Sequence, residues 1–200
     1  MEHNQFPHFH INVNPCKWKA GWQTSYEKSL LLFITGKCNL QCANCFSASS
    51  RGNQEMTVTQ VVEIAKANPS FKKIDLMGGE PLLHPHISEI ITELRNLGRE
   101  VSLYTNGICL NRLEARIMPI RACVSFHEIH SDDPSRKPLA RITSVLENFV
   151  RLGNSLKLVF LLDQWNVNHA MEIVDYVDHH MPFIKKLTIG LMRYENDYWN

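Results

Sequence analysis

Apolar positions recur along this chain in two rhythms. Short apolar runs of strand length occupy residues 30–34, 72–77, 100–105, 121–126, 156–162 and 185–191. Between them the apolar spacing changes to three and four. Thr57 and Gln60 form a capping box ahead of Val58, Val61, Val62 and Ala65, since each side chain can take up the other's free backbone N–H. Ile87, Ile90, Ile91, Leu94 and Leu97 make a second helical stripe, which Gly98 ends. Leu139, Ile142, Val145, Leu146 and Phe149 make a third, ended by Gly153, and Ala170, Ile173, Val174 and Val177 a fourth. A shorter helix is predicted over 110–118, where Pro119 blocks continuation. Residues 1–29 show only a weak alternation through Phe9, Ile11 and Val13. They are set apart as an N-terminal extension to a core domain of residues 30–200.

Six strand–helix units predict an α/β fold with parallel strands and right-handed crossovers. Six is short of the eight of a closed barrel, which leaves an open doubly wound sheet or a partial barrel. Both place their functional loops at the carboxyl ends of the strands. Two hundred residues, 44% of them hydrophobic, suit one domain with a sizeable core and exclude a disordered chain. Lys plus Arg number 21 against 20 Asp plus Glu, so the basic excess of a general nucleic-acid binder is missing. No purely apolar run exceeds five residues, and a membrane span needs about 20. The opening Met1-Glu2-His3-Asn4-Gln5 has neither the basic nor the apolar region of an export signal, so a cytoplasmic location is expected.

The loops after the strands carry the chemistry. The first holds Cys38, Cys42 and Cys45, whereas Cys16, Cys109 and Cys123 are scattered singly. A disulfide framework spreads its cysteines, so the crowded trio reads as a metal site, with Cys109 and Cys123 as buried small hydrophobes. Thiolates suit zinc, copper(I) or iron–sulfur clusters. A structural zinc site wants four ligands, and only three cysteines are close. Three thiolates on a four-iron cluster leave one iron open for a small molecule. Gly78-Gly79-Glu80-Pro81 follows the second strand; its glycines let a ligand approach the backbone, and its carboxylate favours a cationic group such as an amine. Thr105-Asn106-Gly107 follows the third strand, and Ser125, His127 and His130 the fourth. Asp163, Trp165 and Asn166 follow the fifth, and Arg193 the sixth. His3, His8 and His10 are read as part of a polar terminus, and Trp18 and Trp22 as packing within the extension.

Taken together, Cys38-x-x-x-Cys42-x-x-Cys45 with Gly78-Gly79-Glu80-Pro81 one strand later resembles the radical S-adenosylmethionine (radical SAM) superfamily. Thr105-Asn106-Gly107 and Asn166-Val167 look like its molybdenum-cofactor-biosynthesis and peptide-modifying branch. The resemblance covers residues 30–192. It implies a partial (β/α)6 barrel with outer helices. It also implies a [4Fe–4S] cluster on Cys38, Cys42 and Cys45, with SAM on the open iron. One-electron cleavage of SAM would give a 5′-deoxyadenosyl radical that takes hydrogen from a peptide or small-metabolite substrate. The implied cofactor contacts are Gly78, Gly79 and Glu80 to the SAM amino group, Ser125 to ribose or carboxylate, and Asn106 within its motif. His127 and Arg193 are the candidates for positioning substrate, with His130, Asp163 and Trp165 around them. A reductant such as flavodoxin or ferredoxin is the implied partner. No second cysteine group is present, so auxiliary clusters are not expected. Two other readings stand beside this one: a radical activase of a partner enzyme, and a non-catalytic iron–sulfur or zinc protein.

Overall fold

The computed structural model describes residues 29–42, 45, 47–48, 51–131, 136–163 and 166–191. The expectations on the N-terminal extension, including His3, His8, His10, Cys16, Trp18 and Trp22, lie outside these residues. Six strands alternate with four α-helices. The strands are β1 (Ser29–Thr35), β2 (Lys73–Gly78), β3 (Glu100–Thr105), β4 (Arg121–Phe126), β5 (Ser155–Leu162) and β6 (Leu187–Leu191). The helices are α1 (Val58–Ala67), α2 (Ile87–Asn96), α3 (Thr143–Arg151) and α4 (Ala170–His180).

The strands form one sheet in chain order, β1 through β6, and every neighbouring pair is parallel. A doubly wound sheet reverses its order at a switch point, and none occurs here. Crossovers of one hand along an unreversed sheet place every helix on the same face. The result is the six-stranded partial barrel, open between β1 and β6.

The core lies between that face and the helices. Leu32, Ile34, Ile74, Leu76, Val101, Leu103, Val124, Phe126, Leu158 and Phe160 meet Val61 and Ala65 of α1, Ile90, Ile91 and Leu94 of α2, Leu146 and Phe149 of α3, and Ile173 and Val177 of α4. Phe126 and Phe160, register partners on β4 and β5, stack at 5.3 Å between centroids. The capping box forms as expected: the Thr57 side chain accepts from the Gln60 amide, and the Gln60 side chain from that of Thr57. Gly98, just past α2, takes φ +72°.

Two helical expectations change. Residues 110–118 form two single turns of 3₁₀-helix, Leu110–Arg112 and Ala115–Ile117, separated by extended backbone at Leu113 and Glu114. The Arg95 guanidinium from α2 donates to the Ile117 and Pro119 carbonyls, so a tertiary donor replaces a helical one there. Helix α3 starts at Thr143, four residues after Leu139. The amides of Leu139 and Ala140 donate instead to the carbonyls of Glu128 and Ile129, which holds them extended beside the β4 loop. Leu139 and Ile142 still reach the core.

Strand residues between the core positions face the interior of the partial barrel. Strand pairing sets them in rows: Leu31, Asp75, Ser102 and Arg121 in one, and Tyr104, Cys123 and Lys157 in the next, with Phe33 and Met77 paired on its β1 side. No helix among the described residues is long and apolar enough to cross a membrane.

Candidate active site

Gly78 and Gly79 explain how the cysteine loop is seated. A Cβ on Gly78 would lie 2.2 Å from the Thr35 carbonyl oxygen, and one on Gly79 would lie 2.3 Å from that of Lys37. The Gly79 amide donates to Thr35 O at 2.8 Å, and the Glu80 amide to Lys37 O at 2.7 Å. Glycine is therefore required because the backbone after β2 lies directly on the backbone that leads into Cys38. The sequence assigned that closeness to a ligand; in the structure the β1 loop fills the side of each glycine where a Cβ would stand. The far end of the loop returns to the same place. Gly36 N donates to Gln54 O, Gly52 N donates to Gly36 O, and Lys37 Nζ pairs with Glu55 at 3.1 Å.

Glu80 lies inside the protein. Its side chain is fully buried, and three donors fill its oxygens: Leu82 N at 3.1 Å, Thr105 Oγ1 at 2.7 Å and Asn106 N at 2.8 Å. Burial pushes its carboxyl up, against the pull of these hydrogen bonds. The carboxylate thus joins the loops after β2 and β3. Asn106 is equally committed. Its Nδ2 donates to Asn39 Oδ1 at 2.7 Å and its Oδ1 accepts from Ile108 N at 3.1 Å, so the amide contacts protein where a cofactor contact was expected.

Around the thiols the environment is cationic and rich in donors. Burial raises the Cys38 and Cys42 thiols, and the Lys137 charge acts against it in both. Burial also acts to raise Cys45. Hydrogen bonds from Ser47 and Arg51, with the Arg51 charge, outweigh it and hold this thiol below its ordinary value. The contacts are Leu40 N to Cys38 Sγ at 3.4 Å, Cys45 Sγ with Ser47 Oγ at 3.2 Å, and Arg51 to the Cys42 carbonyl at 3.1 Å. Ser47 Oγ reaches on to Gly78 O. N–H donors and cations around thiolates are what an iron–sulfur cluster requires of its protein. Among the described residues no three His, Cys, Asp or Glu side chains converge on a point that one metal ion could share. The five described cysteines are all free thiols.

Lys137 went unnoticed in the sequence. It lies in the loop after β4, and its Nζ meets Ser125 Oγ at 2.8 Å. Its charge is felt by Cys38, Cys42, Glu80 and His127 together. The only sequence signal was a pair of cations before Pro138, indistinguishable from a solvated loop. A cavity of about 370 Å³ runs from the cysteine loop at Asn39 and Gln41 past Asn106 to Lys137 and Arg141.

The substrate candidates separate. His127 is buried at the end of β4, its amide bonded to Lys137 O. Desolvation, reinforced by Lys137 and Arg136, lowers its pKa to about 3, so the ring is neutral. Asp163 is buried and paired with Arg136, which also holds Glu128 at 2.7 Å. Asn166 closes the same corner, donating to His127 O at 2.7 Å and Leu161 O at 2.9 Å. His130 is exposed and turns to the Tyr176 ring of α4, 6.2 Å away between centroids. Asp163 is thus held in an ion pair, and His130 lies at the surface beside α4. Arg193 and Trp165 lie outside the described residues. Cys123 is buried as expected, but it faces the barrel interior and not the helices.

Comparison with known proteins agrees with this geometry. The family model "Radical SAM superfamily" matches residues 32–177. A probable GTP 3′,8-cyclase of Methanocaldococcus jannaschii is 40% identical over 95 residues, 45% of this chain and 32% of that protein. One of Methanothermobacter marburgensis is 31% identical over 163 residues, 76% of this chain and 50% of that protein. The chain thus spans half or less of the length of these relatives. In fold it is similar to Streptococcus suis SuiB bound to its precursor peptide SuiA. The TM-score is 0.68 at 16% identity, covering 82% of this chain and 39% of that one. SuiB bound to S-adenosylmethionine gives 0.67 at 15% identity, covering 82% and 40%.

Proposed function

Because the chain belongs to the radical SAM superfamily of enzymes, we propose that Cys38, Cys42 and Cys45 hold a [4Fe–4S] cluster and that the neighbouring pocket binds SAM. When bound, the pair supplies one-electron cleavage of SAM to a 5′-deoxyadenosyl radical, which takes a hydrogen atom from the substrate. The protein's share is placement and shielding. The observation that carries this reading is the loop itself: the backbone leading into Cys38 is seated on Gly78-Gly79, the Lys137 charge acts on Cys38 and Cys42, and Ser47 and Arg51 act on Cys45. Lys137 and Ser125 are placed to meet an anionic group such as the SAM carboxylate. Arg51 and Ser47 stabilise the thiolate of Cys45.

The substrate is a small metabolite or a peptide. The sequence relatives carry GTP in their name and the fold neighbour a peptide, so both belong in a substrate trial. Low-potential electrons come from a flavodoxin or ferredoxin. A cytoplasmic location accords with five free thiols.

Anaerobic reconstitution tests the reading. About four irons per chain are expected, with 5′-deoxyadenosine formed from SAM and reductant. Replacing any of Cys38, Cys42 or Cys45 by Ala should remove both, while Cys109→Ala should leave both. A full complement of iron in the triple variant would overturn the assignment.

A further inference from the structure

The segment from Cys38 to Cys42 has no helix or strand of its own, yet it must present two thiols in fixed relation. Its Cys38 end is anchored at one side chain. Asn39, next to Cys38, is exposed, and its Oδ1 accepts from Asn106 Nδ2 at 2.7 Å. Its own Nδ2 lies 3.7 Å from Cys109 Sγ. Asn106 is itself immobile. It is buried, its amide is held by Glu80 Oε2 at 2.8 Å, and its Oδ1 takes the Ile108 amide at 3.1 Å. Thr105 beside it donates to Glu80 Oε1 and accepts from Gly107 N at 3.0 Å. A hydrogen-bonded corner at the end of β3 therefore holds the Cys38 end of a loop whose Cys42 carbonyl is held separately by Arg51. An amide suits this place because it donates to Asn39 and accepts from Ile108 at once.

We infer that Asn106 is a positioning residue which, through Asn39, sets where Cys38 and Cys42 stand before any metal binds. Thr105-Asn106-Gly107 acts on the cofactor through the loop and not by touching it. The inference rests on the cysteines being the cluster ligands, but its first test does not.

That test is hydrogen exchange of the metal-free full chain. Asn39→Ala and Asn106→Ala should each speed exchange of the 37–42 amides by about fivefold. The double variant should be no faster than either single one, because both remove the same tether. Amides of α4 serve as the internal control and should keep their wild-type rates. Asn39 is exposed, so its variant folds whatever happens to the Asn106 variant. The second readout is iron loss to a chelator after reconstitution, which should follow the same non-additive pattern. Unchanged exchange at 37–42 in the Asn39 variant, or effects that multiply in the double variant, would overturn the tether. Non-additive exchange without any iron bound to wild type would keep the tether and sink the cluster assignment instead.

Discussion

His127 reaches the interior end of β4 with neither ring nitrogen hydrogen-bonded among the described residues. Burial and the adjacent cations Lys137 and Arg136 keep the ring neutral, with its pKa lowered to about 3. The unfolded chain, with an ordinary histidine, binds a proton near pH 6.5, so below that pH it holds more protons than the folded state. Stability from this residue is present above 6.5 and is lost as pH falls toward 3. Between pH 7.5 and 5 the loss is about 2 kcal/mol. Urea unfolding at the two values should show wild type losing about that much more than His127→Gln; equal losses would mean the ring is not held neutral. The cysteines, by contrast, were legible from spacing alone, since all three lie in one loop. Lys137 was not, because its meeting with the thiols requires the loop after β4 to fold back over the loop after β1. Glu80 was legible in its motif, but its protein partners were not. Its partners Thr105 and Asn106 are 25 and 26 residues away, and no local pattern announces them.

At the scale of elements, the sequence was most informative where one element satisfies its own needs. Helix α1 carries its own capping box, and β3 and β4 have the predicted bounds. It failed where a neighbour intervened, as with Arg95 over residues 110–118 and the β4 loop beside Leu139. The glycine pair is the sharpest case of such a contact. Gly79→Ala drives a Cβ into the Lys37 carbonyl at 2.3 Å, backbone on backbone, with no side chain able to yield. Gly98→Ala meets nothing within 4 Å and costs only the left-handed conformation at φ +72°, about 1 kcal/mol. Thermal unfolding should therefore show Gly79→Ala as the more destabilised by several degrees, with iron content after reconstitution lowered as well. Gly98→Ala should retain its iron. Equal behaviour of the two would mean that the approach of β2 to the cysteine loop is loose.

For the whole molecule, the topology was readable because each strand–helix unit is local, and repetition of one hand carries it to a partial barrel. The interior face was not readable, because which residues share a row depends on register between strands. That face bears on substrate. Of the loop residues first considered for it, Asp163 pairs with Arg136 and His130 lies against Tyr176. The interior row supplies Tyr104, Cys123 and Lys157 instead, one pleat below Ser125 on β4. Tyr104 is about a third exposed there at 37%, and the buried part of its ring with the nearby charge of Asp75 raises its pKa to about 12, so its phenol stays protonated and can donate. Lys157 offers a cation in the same row. Hydrogen-atom abstraction needs the target C–H held against the adenosyl carbon, and a loosely held substrate leaves the radical to react elsewhere. Tyr104→Phe and Lys157→Met should therefore leave iron content and substrate-free SAM cleavage intact. The ratio of 5′-deoxyadenosine to product should rise about tenfold with the lost hydrogen bond. Measured with whichever substrate the trial identifies, a ratio that stays at the wild-type value in both variants would move substrate recognition off this face.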